Sequence, residues 1–212
     1  MCIRDRAVAK QFAALGARNF LFETLSSDAG LLDAVGAIKA EVPDAFVLVS
    51  FAVLPDGYTR EGMYCKDLAR RMQESGIVDA VGLNCVSAPG AMRTLAKQLG
   101  GTLPLSVMPN AGYPVVTRAR VLYQGKPAYF AREMGQIAAA GVRILGGCCG
   151  TTPDHIAALR ALIDVRPLPA VASVSVPAHT SVASSATAVS AGSASSRVAW
   201  GEQSEPKGLS AF

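Results

Sequence analysis

Charge, aromatic side chains and long hydrophobic runs are all scarce in this sequence of 212 residues. Charged residues make up 17% of the chain and aromatic residues 6%, and the formal net charge is +4. Because Arg70-Arg71 is the one adjacent basic pair, we expect no nucleic-acid partner. Apolar runs such as 46–49 are only a few residues long, whereas a membrane helix needs roughly 18. We therefore expect a soluble cytoplasmic protein without a membrane partner.

The five cysteines do not form the pattern of a secreted, disulfide-bonded protein. Their number is odd, none lies in a Cys-x-x-Cys motif, and Cys148 and Cys149 are adjacent. Small secreted domains carry more cysteine for their size, usually in an even number. Glycine-rich phosphate-binding motifs are missing too, since neither Gly-x-Gly-x-x-Gly nor Gly-x-x-x-x-Gly-Lys occurs. We expect reduced thiols and no nucleotide-phosphate site.

The composition changes near residue 166, and we expect different structures on the two sides of that point. Residues 170–196 consist almost entirely of Ala, Ser, Val and Thr, with no charged residue. Few large side chains are available there to offset the entropy lost on ordering the chain. We predict that 166–212 is a linker or disordered tail, and a packed pair of strands is the less favoured alternative.

Before residue 166, strand-like and helix-like segments alternate strictly. Segments rich in β-branched and aromatic residues, such as 45–51, are typical of buried parallel strands. One helix followed by five strand–helix units predicts parallel strands with right-handed crossovers, in an open sheet or a barrel. A complete (β/α)8 barrel usually takes about 250 residues. The predicted helices span 7–16, 31–41, 60–75, 89–99, 127–140 and 153–163, and the predicted strands span 19–23, 45–51, 78–83, 103–108 and 142–145.

Chemically unusual residues lie where the predicted strands end. The carboxyl ends of parallel strands meet at one face of an α/β domain, and functional sites are built on that face. One shared site therefore explains these positions better than separate coincidences do. The residues are Glu23, Ser50, Asn84, Cys85, Asn110, Cys148 and Cys149.

Three of these residues are thiols, and three thiols on one face could bind one metal ion. Zinc prefers sulfur and nitrogen, and three protein ligands with an open fourth position define a catalytic site. Such a site would hold an external thiol as a nucleophilic thiolate. The alternatives are a redox disulfide between Cys148 and Cys149 and simple burial of Cys85. Cys2 and Cys65 lie away from the strand ends and are predicted not to be ligands.

Two other expectations concern polar side chains. Phe22 and Leu25 lie close to Glu23 and indicate a partly buried carboxylate. His155 falls in the first turn of the last predicted helix, where we expect a surface residue rather than a ligand.

Four motifs carry a resemblance to a known family. They are FLFET at 20–24, GLNC at 82–85, MPNAG at 108–112 and GGCCGTTPDHI at 146–156. Each motif alone is weak, but GGCCGTTP after an upstream Asn-Cys is a highly specific combination. Together they resemble the homocysteine S-methyltransferase family over residues 7–163.

The resemblance implies a zinc-dependent (β/α)8 TIM barrel that transfers a methyl group from a small-molecule donor to homocysteine, giving methionine. Glu23 would bind the amino group of homocysteine, and Asn110 would lie close to the metal. The resemblance implies zinc ligands at Cys85, Cys148 and Cys149, and substrate-binding residues at Glu23, Asn110, Asn84 and Ser50.

The sequence departs from the family at its start. Family members have three strand–helix units before the one with Glu23, so 7–165 would be the C-terminal five units of an incomplete barrel. Residues 1–6 match no family segment, and we expect a non-native junction there. Residues 120–130 resemble members fused to a methylenetetrahydrofolate reductase domain, which this chain would lack. An inactive fragment and a thiol redox protein are the alternative functions.

Overall fold

The computed structural model describes residues 3–99, 103–118 and 120–165. The tail predicted at 166–212 and the predicted non-ligand Cys2 lie outside the described residues.

Helices and strands alternate along the described chain, as predicted, with two short strands added after the fourth. Proline begins several helices because its fixed φ suits a first helical turn, and Gly76, at φ 66°, ends the third helix in a left-handed conformation. The helices are α1 (Ile3–Ala14), α2 (Leu31–Glu41), α3 (Cys65–Ser75), α4 (Pro89–Leu99), α5 (Pro127–Ala139) and α6 (Pro153–Val165). The strands are β1 (Asn19–Leu25), β2 (Phe46–Phe51), β3 (Ala80–Asn84), β4 (Leu105–Met108), β5 (Pro114–Val116), β6 (Val121–Tyr123) and β7 (Ile144–Leu145).

Five of the strands form one parallel sheet in chain order, β1-β2-β3-β4-β7, which confirms the predicted α/β topology. β5 and β6 form a separate antiparallel hairpin. Because the five strands are parallel, their carboxyl ends lie at one edge of the sheet. The register pairs Asn19 with Phe46, Leu48 with Ala80, Val81 with Leu105 and Ser106 with Ile144.

The core lies between the sheet and its helices. β3 is buried along its whole length and β2 beyond its first residue, as expected for parallel strands covered on both faces. Burial of one such large apolar side chain contributes about 1.5–3 kcal/mol. The largest buried side chains include Phe51, Leu68, Leu83, Met92, Phe130 and Ile137.

β3 and β4 approach closely at Gly82. A Cβ atom at this position would lie 2.7 Å from the Cβ of Ser106 and 2.9 Å from its carbonyl oxygen. Only glycine fits there without moving the neighbouring backbone. The close approach brings the loops that follow these two strands together.

The β1 side of the described structure exposes apolar side chains. Leu21 on β1 is 48% exposed, and Phe12 and Leu15 near it in sequence are 56% and 85% exposed. β1 and β7 are the two edges of the described sheet. None of the helices among the described residues has the length and apolar character needed to span a membrane.

Two parts of the prediction were wrong. The third helix begins at Cys65 rather than at residue 60, because Tyr58 and Tyr64 form an isolated β-bridge with their rings 5.1 Å apart. The Thr59 hydroxyl also accepts a hydrogen bond from the Met63 N–H, which holds this stretch as a loop. The hairpin β5–β6 was not predicted at all. α1 includes residues 3–6, and the non-native junction expected there stays a prediction.

Candidate metal centre

The three thiols meet at the carboxyl ends of neighbouring strands. Cys85 follows β3, and Cys148 and Cys149 follow β7, with β4 lying between these strands. Their three sulfur atoms all lie within 4.8 Å of one another, and the sulfurs of Cys85 and Cys149 are 3.7 Å apart. The structure therefore brings together the three predicted ligands. A redox disulfide between Cys148 and Cys149 would give no role to Cys85, which lies in the same cluster. Cys65 is buried in the core and does not belong to the cluster.

The end of β4 and the loop after it fix the backbones of the thiols. The Cys85 N–H donates to the Met108 carbonyl at 3.1 Å, and the Cys148 N–H donates to the Pro109 carbonyl at 2.8 Å. Backbone hydrogen bonds of this kind restrict where the attached side chains can point. Two consecutive residues, Met108 and Pro109, thus hold the backbones of two cysteines that lie far apart in sequence.

Asn110 fixes the backbone of the third cysteine, Cys149. Its side chain is 3% exposed, and its Oδ1 accepts a hydrogen bond from the Cys149 N–H at 3.0 Å. The next residue, Ala111, donates its N–H to the Cys149 carbonyl at 2.9 Å. Asn110 therefore lies beside the cluster, as predicted, and holds Cys149; a direct role toward metal or substrate stays a prediction.

The loop after β3 has a strained backbone. Cys85 and Val86 are consecutive non-glycine residues with positive φ, 58° and 52°. A left-handed conformation is particularly unfavourable for a β-branched residue. Ser87 is fully buried and holds the loop, because its hydroxyl donates to the Val53 carbonyl at 2.9 Å and its N–H to the Cys85 carbonyl at 2.5 Å.

The surroundings of Cys148 lower the acidity of its thiol. Burial, a hydrogen bond with Cys85 and the neighbouring thiols raise the pKa of Cys148 from 9.0 to about 12. Without a cation the cluster therefore keeps Cys148 protonated at neutral pH. A dication among the sulfurs would reverse this preference, since metal binding deprotonates a coordinating thiol.

Ser50 and Asn84 form a buried polar network under the site. Both are 0% exposed, and the Ser50 hydroxyl donates to the Asn84 Oδ1 at 2.8 Å. Thr24, at the end of β1, donates its N–H to the same oxygen at 2.9 Å, and its Oγ1 accepts from the Asn84 Nδ2 at 2.7 Å. These contacts make Asn84 a bridge between β1 and β3, while substrate binding by Ser50 and Asn84 stays a prediction.

Glu23 lies next to this network in a β-bulge. The β1–β2 register shifts between Phe22 and Leu25, and Thr24 within it has a φ of 61°. Bulges redirect side chains and are common beside active sites. The carboxylate is exposed and makes no hydrogen bond or ion pair with the described residues, so the expected partial burial was wrong. The reason is that β1 is an edge strand of the described sheet.

Sequence reasoning missed two residues near the thiols. Tyr123, on the unpredicted hairpin, packs on Gly150, and burial together with the neighbouring Cys149 raises the pKa of Tyr123. His155 is 6% exposed, so the expected surface position was wrong. The pattern Thr152-x-x-His155 was a usable signal, because a helix N-cap residue often pairs with the side chain three positions later.

An open groove of about 690 Å³ runs beside Cys148, toward the first turns of α6. Its lining includes Thr151, Ile156 and Arg160. The groove gives a small molecule access to one edge of the thiol cluster.

Parallel strands with helical connections, and three thiols gathered at the strands' carboxyl ends, define an α/β protein with a three-thiol centre. The model of the homocysteine S-methyltransferase family matches residues 4–163. The chain therefore belongs to the homocysteine S-methyltransferase family, which confirms the resemblance in the sequence.

Individual relatives agree with this assignment. A methionine synthase of Mycobacterium leprae is 43% identical over 89 residues, 41% of this chain and 7% of that protein. The homocysteine S-methyltransferase of Escherichia coli is 32% identical over 133 residues, 61% of this chain and 43% of that protein. The chain thus spans less than half the length of these curated relatives.

Solved structures give the same result for the fold. The crystal structure of the homocysteine methyltransferase MmuM from Escherichia coli in its oxidised form is 29% identical, with a TM-score of 0.59. The match covers 74% of this chain and 51% of that one. Its metallated form is 28% identical at the same TM-score, covering 76% and 52%. The prediction of part of a (β/α)8-type methyltransferase fold is thereby confirmed.

Proposed function

We propose that this protein transfers a methyl group from a small-molecule donor to the thiol of homocysteine, forming methionine. The observation that carries the proposal is the convergence of Cys85, Cys148 and Cys149 in a chain of this family. Three sulfurs around one point are suited to holding a metal that binds a fourth, external sulfur. The reduced state that such a site requires is consistent with the cytoplasm.

The residues present fit a zinc ion. Two sulfurs bound to a tetrahedral zinc at about 2.3 Å lie roughly 3.8 Å apart, and the Cys85 and Cys149 sulfurs are separated by 3.7 Å. The donor set is entirely sulfur, which zinc accepts readily. When bound, zinc would lower the pKa of an incoming thiol and so keep it as a nucleophilic thiolate at neutral pH.

The residues of the chain would bind and orient the acceptor. Cys85, Cys148 and Cys149 would hold the metal, which fixes the position of the acceptor sulfur. The exposed Glu23 carboxylate would pair with the ammonium group of homocysteine, and a charge-assisted hydrogen bond of this kind also has directional character. Fixing the acceptor at both ends reduces the entropy lost in reaching the transition state.

Buried hydrogen bonds stabilise the backbone around Glu23 and the thiols. Asn84 connects Thr24, the neighbour of Glu23, to β3, the strand that Cys85 follows. Asn110 holds the Cys149 backbone. We assign Ser50, Asn84 and Asn110 chiefly to positioning, because their described hydrogen bonds are to the protein. Fusion to a reductase domain remains a prediction.

Elemental analysis of the purified protein, combined with a transfer assay, tests the proposal. We expect about one zinc per chain, lost on alkylation of the thiols. We also expect methionine to form from homocysteine and S-methylmethionine as the donor probe, with cysteine as a matched acceptor that reacts poorly.

A folded protein that binds no zinc, or retains zinc after alkylation, would contradict the metal assignment. Full zinc occupancy without methyl transfer to homocysteine from S-methylmethionine, betaine, S-adenosylmethionine or methyltetrahydrofolate would instead favour the inactive-fragment alternative.

A further inference from the structure

The hairpin β5–β6 lies directly against the thiol cluster. Tyr123, its last strand residue, packs on the backbone of Gly150, the residue after Cys149. The φ of 77° at Gly150 and the contact with the Tyr123 ring leave no space for a Cβ there. The position of the hairpin therefore determines what lies against the segment that carries Cys149.

The strands of this hairpin are poorly packed. All three residues of β5 are exposed, and Val116 is 78% exposed. Val121 and Leu122 on β6 are also exposed. Segments with few buried apolar contacts open with small free energies. The hairpin must therefore depend on how its base is attached.

The base is attached through Gly125. Its N–H donates to the Ala111 carbonyl at 2.9 Å, and its backbone packs so closely on Ala111 that a side chain would not fit. Its carbonyl accepts a hydrogen bond from the His155 Nε2 at 2.7 Å. Gly125 is therefore held from both sides, by the loop after β4 and by α6.

The contacts of His155 define which of its ring nitrogens donates and which accepts. Its Nδ1 faces the Thr152 N–H at 3.2 Å, and a backbone N–H can only donate, so Nδ1 is unprotonated. Nε2 then carries the proton, as its bond to a carbonyl requires. The ring is 6% exposed and packs edge-on to Phe130, with centroids 5.4 Å apart.

These bonds form a closed series that includes the backbone of Cys149. From the Cys149 carbonyl it runs through Ala111 and Gly125 to His155, and then through Thr152 back to the segment that carries Cys149. We propose that His155 is a positioning residue for the thiol centre. Through its Nε2–H bond to Gly125 it holds the β5–β6 hairpin, and with it Tyr123, against the segment that carries Cys149.

Two isosteric substitutions separate this role from simple helix capping. His155→Gln and His155→Glu both keep an oxygen that accepts from the Thr152 N–H, as in a capping box. Gln also keeps an N–H for the Gly125 carbonyl, whereas ionised Glu has none and repels that carbonyl. Both variants should therefore retain α6, and only His155→Glu should release the hairpin.

Hydrogen exchange and thiol alkylation measure the effect on the full-length, metal-free protein. In His155→Glu we expect amide exchange in the hairpin, and iodoacetamide alkylation of Cys149, to be about 3- to 10-fold faster, the effect of losing one hydrogen bond. In His155→Gln both rates should stay within about twofold of the wild type. Neither measurement needs a methyl donor. A negative result for the role of His155 is therefore distinct from a failure of the proposed methyl transfer.

Unchanged rates in both variants would overturn the proposal. Equal loosening of the hairpin and of α6 in both variants would also overturn it, since His155 would then only cap the helix. If His155→Glu does not fold, His155→Leu replaces it as an uncharged variant that lacks the donor. Hairpin exchange in His155→Leu that equals that of His155→Gln would again contradict the proposal.

Discussion

The candidate site has two sides that differ in how firmly their residues are held. The thiol side consists of the loops after β3, β4 and β7, where backbone hydrogen bonds hold three cysteines whose sulfurs lie within 4.8 Å of one another. The carboxylate side consists of the ends of β1 and β2, where Glu23 projects from a bulge without a described partner. Metal ligands need distances fixed within tenths of an ångström, whereas a carboxylate can attract an ammonium group over a longer range.

A buried amide connects the two sides. Asn84 ends β3, one residue before Cys85, and its side chain bonds to Thr24, one residue after Glu23. The backbone of the Glu23 bulge is thereby connected through buried hydrogen bonds to the strand that Cys85 follows.

The largest expected effect comes from breaking the thiol side. Cys148→Ala removes one of three ligands, and we expect zinc content to fall from about one per chain to nearly none, with complete loss of methyl transfer. Cys65→Ala is the matched control, because this buried cysteine lies outside the cluster. It should lower stability without changing zinc content, as measured by elemental analysis. Stoichiometric zinc in Cys148→Ala would refute the ligand assignment.

An intermediate effect is expected on the carboxylate side. Glu23→Gln keeps the size of the side chain but removes its charge, and a hydrogen bond between charged groups contributes about 1.5–3 kcal/mol. We expect homocysteine to bind roughly 10- to 150-fold more weakly, with zinc content unchanged. Isothermal titration with homocysteine measures the affinity, and elemental analysis of the same sample measures zinc content. Glu74→Gln, on the exposed face of α3, is the control. Equal affinity in the two variants would remove Glu23 from the site.

The smallest effect concerns pH. The pKa of Cys148 is raised from 9.0 to about 12 by burial and by the neighbouring thiols, so the folded metal-free protein favours the neutral thiol. This contribution to stability is present below about pH 9 and is lost as the pH rises toward 12. Urea unfolding of reduced, metal-free protein at about pH 8 and about pH 10.5 should show a larger loss in the wild type than in Cys148→Ala. The same loss in both proteins would show that Cys148 does not contribute.

The alternation of strands and helices could be predicted because burial on both faces leaves a clear pattern. The apolar run of β2 and the glycine and proline residues around the helices are local signals of this kind. The thiols could be placed for a related reason, since the carboxyl ends of parallel strands necessarily share one edge.

The hairpin and the bulge could not be read in the same way. β5 and β6 have three residues each and no buried face, so Val115 and Val121 carry no periodic signal. The bulge at Glu23 depends on pairing with β2, and a single strand does not reveal its register. His155 was misjudged because burial of a helix's first turn depends on what packs over it, here Phe130 and the end of the hairpin.

The left-handed backbone at Cys85 and Val86 has a consequence for engineering. Residues held in such conformations cost of order 1–3 kcal/mol each, and the rest of the fold must offset that amount. A search for heat-resistant variants would therefore favour glycine at position 86, where the strain is easily relieved. The same substitution would make the turn that positions Cys85 beside Cys148 and Cys149 more flexible. Selection for stability alone would therefore weaken the three-thiol arrangement.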